Sequence, residues 1–229
     1  MKIFIIGGSG NLGVELIKII PKTYQVISPT RDECDIENLD DIQNSIRDNS
    51  PDIVLHLAGF VDIVGCESNT NKAIDINILG TINIVKSCLN LQCKLVYISS
   101  EYVFKGDKGN YSVNDKLDPI NVYGKTKAAS EYIVSILPNY QIIRSPFIKT
   151  KYPEVYTDQF CSRYFIEDIA SKIFNNIISN PDNMVHISNE RKSLYDHYLD
   201  KNLNPIPIQI PSNIINITPR DTSLINNSI

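Results

Sequence analysis

Tyr123 and Lys127, in Tyr123-Gly124-Lys125-Thr126-Lys127, stand four residues apart and share one face of a helix. Asn121 is placed to cap that helix, which puts Tyr123 in its first turn. There the Lys127 ammonium and the positive helix end favour the phenolate. The phenol's pKa is expected to fall from its ordinary value of about 10. Alone, such a pair is more often a solvated helix face. Its context differs, because Ser100 follows the apolar run Leu95-Val96-Tyr97-Ile98-Ser99. A hydroxyl there can bind a carbonyl oxygen that Tyr123 protonates. Near the start, Gly7, Gly10 and Gly13 space a turn between Ile3-Phe4-Ile5-Ile6 and Val14-Glu15-Leu16-Ile17-Lys18-Ile19-Ile20. Strand, glycine turn and helix let a pyrophosphate lie on a helix N-terminus. The alternative is a turn whose glycines serve packing alone. Phenol, hydroxyl and ammonium beside a dinucleotide imply hydride transfer to or from a carbonyl.

These groups need a scaffold, and the chain alternates between strand-like and helix-like segments. Strands are expected at Lys2–Ile6, Tyr24–Ser28, Asp52–Ala58, Lys94–Ser99, Gln141–Arg144 and Met184–Ile187. Helices are expected at Asn11–Ile20, Asn38–Asp48, Asn71–Leu91, Tyr123–Leu137 and Ile166–Ile178. Repeated βα units predict an α/β fold: a Rossmann-type doubly wound parallel sheet with a small C-terminal substrate lobe. Residues 1–144 form the expected dinucleotide-binding domain, with 164–188 adding a helix and strand to it. Residues 145–163 and 189–229, marked by scattered prolines, form the reduced lobe. The tail after Leu224 is expected to fray.

The 229 residues carry a formal charge of −4, which argues against a nucleic-acid binder. No apolar stretch reaches membrane-spanning length, and no secretion signal precedes the first strand. A cytoplasmic location without membrane partners is expected. Five cysteines, odd in number and without a CxxC pair, suggest neither disulfides nor a metal site.

Taken in order, several blocks resemble the extended short-chain dehydrogenase/reductase superfamily, and within it the dTDP-4-dehydrorhamnose reductase family. They are the glycine turn, His56-Leu57-Ala58-Gly59, Asp75-Ile76-Asn77-Ile78-Leu79-Gly80-Thr81, Ser99-Ser100-Glu101-Tyr102-Val103-Phe104, Asn121 to Lys127, Ile142-Ile143-Arg144-Ser145 and Pro219-Arg220-Asp221-Thr222-Ser223-Leu224. The resemblance implies Ser100, Tyr123 and Lys127 as the catalytic set. It implies a cofactor held by Gly7, Ser9, Gly10, Asn11, Leu12, Gly13, Asp35, Ile36, Leu57, Ala58, Gly59 and Ser99, together with Tyr123 and Lys127, with a helix-entry aspartate as the alternative for Asp35. It implies Val61, Glu101, Phe147 and Arg163 at the substrate. The implied reaction is reduction of the 4-keto group of a nucleotide-linked 4-keto-6-deoxyhexose. Glu101 replaces the family's usual aspartate, and Phe147 replaces a tryptophan. The stretch Ser145 to Asp158 is about a dozen residues shorter than usual. A non-catalytic NADP-binding regulatory subunit, similar to that of methionine adenosyltransferase, is therefore the rival reading. A bifunctional epimerase/4-reductase is a third.

Arg31, in Ser28-Pro29-Thr30-Arg31, either pairs with a cofactor 2′-phosphate or is a solvated loop arginine. The first option favours NADP and leaves NAD open. His56 reads as a core histidine more readily than as a proton donor. Arg163 either meets the substrate diphosphate or pairs within the chain. Tyr152 and Tyr156 either stack on the base or pack their loop. Asn77 reads as a bond from a helix to backbone or a neighbouring loop. A homodimer stays open.

Overall fold

A computed structural model describes residues 1–229 except Thr150, Lys151, Asn180 and Ile229. The first half runs β1 (Lys2–Ile6), α1 (Asn11–Ile19), β2 (Gln25–Ile27), α2 (Leu39–Asn49) and β3 (Ile53–His56). It continues with α3 (Ile63–Ser68), α4 (Thr70–Ala73), a π-helical turn (Ile74–Leu79), α5 (Gly80–Leu91) and β4 (Lys94–Ser99). A 3₁₀ turn (Glu101–Val103) precedes α6 (Val122–Val134) and β5 (Tyr140–Arg144). Then come β6 (Phe147–Ile148), β7 (Glu154–Tyr156), β8 (Phe160–Cys161), β9 (Tyr164–Phe165), α7 (Ile166–Ser179) and β10 (Met184–His186). The last elements are β11 (Lys192–Ser193), α8 (Leu194–Leu199) and β12 (Ile206–Ile208).

Six strands form one parallel sheet in the order β10-β5-β4-β3-β1-β2. Strand alternation sends β1 side chains to both faces, and both faces are buried. Ile3 and Ile5 pack with Leu12 and Leu16 of α1 and Ile169 and Ile173 of α7. Phe4 and Ile6 pack with Ile42 and Ile46 of α2 and Ile84 and Val85 of α5. Helices on both faces make the sheet doubly wound, as the near-continuous apolar runs predict. The order reverses at β1, between β2 and β3, so the crevice for a ligand opens at their carboxyl ends.

Short strand pairs flank the sheet: β6 with β9, β7 with β12, and β8 with β11. They enclose a cluster of Ile148, Val155, Cys161, Phe165, Leu194 and Tyr198.

Two expectations are corrected. The helix expected at 71–91 starts earlier and is broken: Asn69 caps α4, accepting from the Lys72 amide at 3.2 Å, and a π turn follows. Of the tail after Leu224, residues 225–227 are pinned rather than frayed, and Ile229 lies outside the described residues. The Ile225 amide donates to Tyr111 O at 2.8 Å. The side chains of Asn226 and Asn227 accept from the amides of Ser188 at 3.0 Å and His186 at 2.6 Å. No helix among the described residues is long and apolar enough to cross a membrane.

Candidate active site

The glycine turn forms as its residue types require. Gly7 has φ of +85°, and a Cβ there would lie 2.6 Å from the Ala58 nitrogen. Only glycine lets β1 and the end of β3 approach this closely. The Gly10 amide donates to Gly7 O at 3.0 Å, and Gly10 stands at the N-cap of α1. Gly13 packs against Gly8, whose Cα would meet a Cβ at 2.5 Å. Gly8 is a member of the turn that the spacing of 7, 10 and 13 passes over. The first-turn amides of α1, from Asn11 to Gly13, belong to the group of helical donors without helical partners.

Two cavities open along the carboxyl ends of the strands. The larger, about 450 Å³, gathers Asn11, Leu57, Ser100, Glu101, Tyr123 and Lys127. Leu12, Val61, Ser99, Phe147 and Arg163 border it too, as do Tyr152 and Tyr156. The smaller, about 200 Å³, is bordered by Gly7, Ser9, Arg31, Asp35 and Ile36. Ala58 and Gly59 line both, so the two meet at the end of β3. Gly10 and Gly13 line neither and serve the turn itself.

Asn121 caps α6, accepting from the Gly124 amide at 2.7 Å, and Tyr123 stands in the first turn as expected. Lys127, one turn on, is buried. Its ammonium donates to Ile98 O at 2.7 Å and lies 4.0 Å from the centre of the Tyr97 ring. Burial lowers its pKa to about 7, against a weaker opposing pull from Glu131. The expected acidification of Tyr123 is corrected. Burial first, and the Glu101 carboxylate second, push this phenol's pKa up, while a hydrogen bond with Ser100 pulls weakly the other way. Desolvation of the phenolate outweighs the helix end and the partly discharged lysine.

Ser100 donates to Glu101 Oε2 at 2.9 Å and accepts from the Tyr102 amide at 3.2 Å. Glu101 in turn is held by Arg163, with Nε at 3.0 Å and Nη2 at 2.8 Å from Oε1. Arg163 thus takes the intramolecular pairing, at the cavity wall. Its Nη2 also donates to the Tyr102 hydroxyl at 3.2 Å, which accepts from Gln159 at 3.0 Å. The Tyr102 and Tyr123 rings meet edge to face at 6.1 Å.

Arg31 is exposed and pairs with Glu37 at 2.5 Å and Asp35 at 3.9 Å. His56 is a core histidine: Nε2 lies 3.0 Å from Thr81 Oγ1, and burial, with the Lys127 charge, lowers its pKa to about 3. Asn77 bonds a neighbouring loop. Its amide accepts from Phe60 N at 2.7 Å and donates to Phe60 O at 3.0 Å and Thr126 Oγ1 at 2.9 Å. The Ser99 hydroxyl turns away to Glu131 Oε1 at 2.5 Å. Sequence reasoning missed Tyr102, Gln159 and Ser145. Ser145 lines the larger cavity with a buried hydroxyl that has no protein partner. Its place directly after β5 was the available signal.

The RmlD substrate binding domain family matches residues 1–191. In sequence the chain is similar to the spore coat polysaccharide biosynthesis protein SpsK of Bacillus subtilis. The two are 31% identical over 209 residues, 82% of this chain and 73% of SpsK. It is also similar to dTDP-4-dehydrorhamnose reductase of Sinorhizobium fredii, 28% identical over 154 residues, 66% of this chain and 52% of that protein. The match thus spans about half the length of that reductase. In structure the chain is similar to dTDP-4-dehydrorhamnose reductase of Bacillus anthracis, solved in complex with NADP. The TM-score is 0.88 at 25% identity, over 99% of this chain and 90% of that one.

Proposed function

The chain belongs to the RmlD substrate binding domain family, and on that footing we propose that it uses NADPH to reduce the 4-keto group of a nucleotide-linked 4-keto-6-deoxyhexose. The observation that carries this reading is the convergence of Ser100, Tyr123 and Lys127 on one cavity that meets a second at Ala58 and Gly59.

The residues present fit a dinucleotide. The side-chain-free approach at Gly7 and the N-terminus of α1 suit a pyrophosphate. The unpartnered Ser145 hydroxyl suits a polar group in the larger cavity. Arg31, at the smaller cavity, would exchange Glu37 for a 2′-phosphate. NADPH, when bound, supplies the hydride. Ser100 and Tyr123 would hold the substrate's carbonyl oxygen, and Tyr123 would give it a proton. The raised pKa suits that direction, because reduction needs the protonated phenol. Lys127 would regain its charge beside a phosphate-bearing cofactor and fix the ribose.

The test is to add a dTDP-linked 4-keto-6-deoxyhexose and follow NADPH absorbance. Consumption that depends on the sugar nucleotide is expected. No consumption, with NADPH binding intact, would favour a regulatory subunit.

A further inference from the structure

Glu101 sits at the junction of the reacting hydroxyls and a part-buried cation. Its side chain is 6% exposed and that of Arg163 13%. One carboxylate oxygen, Oε1, is taken by Arg163; the other, Oε2, receives the Ser100 proton. In this arrangement the Ser100 O–H points at Glu101, not at an incoming carbonyl. The Ser100 hydroxyl must rotate to serve a substrate, and its readiness to do so depends on how strongly Glu101 holds it. Arg163 moderates that hold, because an oxygen already accepting two guanidinium N–H groups makes the carboxylate a weaker acceptor for Ser100. Gln159 and Arg163 both bond the Tyr102 hydroxyl, so Tyr102, Arg163 and Glu101 form one fixed frame around Ser100.

We propose that Glu101 and Arg163 act as a positioning pair that sets both the direction of the Ser100 hydroxyl and the acid function of Tyr123. This rests on the reductase reading above. The pair need not touch the substrate. It acts by opposite charges on one phenol: the carboxylate opposes ionisation of Tyr123, and the guanidinium screens the carboxylate. The other groups around Tyr123 are Cys66 of α3, Tyr97 of β4, Tyr102 of the 3₁₀ turn and Lys127 of α6.

Two charge-neutralising variants test the proposal through the alkaline limb of the Tyr123 titration, read by tyrosinate absorbance as a difference against Tyr123→Phe with NADP present, so that Lys127, with its pKa near 7, does not set the limb. Glu101→Gln removes the negative charge, so the limb should move to lower pH by about one unit. Arg163→Met unmasks that charge, so the limb should move to higher pH. Glu101→Asp should restore the wild-type limb. A purely structural role would not send the two variants in opposite directions. If either fails to fold, the double variant Glu101→Gln/Arg163→Met leaves no unpaired buried charge and should fall between them. Movement in the same direction, or none, overturns the proposal. Should wild type not turn over any sugar nucleotide, the reductase reading fails by itself. The tyrosinate titration needs no turnover and still reads the opposite shifts.

Discussion

Two glutamate–arginine pairs, one buried and the other part-buried, differ in their surroundings. Glu131 of α6 and Arg144 of β5 meet in two parallel contacts of 2.9 and 2.7 Å, each side chain 3% exposed. Ser99 of β4 adds a bond to the carboxylate. The remaining Arg144 nitrogen lies 3.1 Å from His186 Nε2 and donates to Val113 O at 3.3 Å. That pair locks three sheet strands to the helix that carries Tyr123. The Glu101–Arg163 pair has the same chemistry, but its further partners are Ser100, one of the reacting hydroxyls, and Tyr102, and both border the larger cavity; among the partners of the scaffold pair only Ser99 borders it, with its hydroxyl turned to Glu131. The comparison teaches that burial alone does not assign a role. A pair satisfied only by scaffold holds the scaffold, whereas a pair satisfied by reacting groups can respond to a ligand.

The most damaging way to probe this contrast is to strand one charge. Glu131→Ala leaves Arg144 buried and unpaired, and should cost about 3–5 kcal/mol in urea unfolding. Glu101→Ala should cost clearly less, because Arg163 is nearer to solvent. Equal losses would break the distinction. Next, Tyr123→Phe should lower turnover by about 10²–10⁴-fold with little change in the unfolding midpoint. A variant at full turnover would remove the cavity's claim to chemistry.

Acid should act on the scaffold side. Burial and the Arg144 charge hold the folded-state pKa of His186 at about 3, against 6.5 for a free imidazole. Between those values the unfolded chain binds more protons, so stability is full above pH 6.5 and declines as pH falls toward 3. Thermal midpoints across that range should fall, and His186→Gln should flatten part of the slope. His56, with its pKa also near 3, and His197, whose pKa burial also lowers, add to the same slope. The smallest effect is expected at the rim: Arg31→Ala should weaken NADPH binding about tenfold in calorimetry and leave NADH unchanged.

The contrast also explains which features could be read from the chain. The βα alternation, the glycine turn and the Tyr123–Lys127 pair are local, each settled by residues within a few positions. Even the parallel sheet follows, because apolar runs such as Ile53–Leu55 must be covered on both faces. The charge pairs are different. Arg163 reaches Glu101 across 62 positions, and Arg144 of β5 reaches back 13 positions to Glu131 of α6. No periodicity encodes such a pairing. The direction of the Tyr123 shift lies beyond local sequence for a related reason. Spacing revealed a nearby cation but not the burial that discharges it, nor the carboxylate on the other side. The π turn escaped because one extra residue in a turn leaves the apolar stripe nearly intact. Its Asn77 still declared itself as a polar residue among apolar neighbours.

The pinned tail has a consequence for how the molecule meets its own copies. β10 is one of the two edge strands of the sheet, and such a border invites strand addition by another chain. Asn227 occupies that border, receiving the His186 amide on its side chain and giving its own amide to His186 O at 3.2 Å. Asn226 and Asn227 thereby act as a selvedge, closing the fabric against fraying and against unwanted stitching to a neighbour.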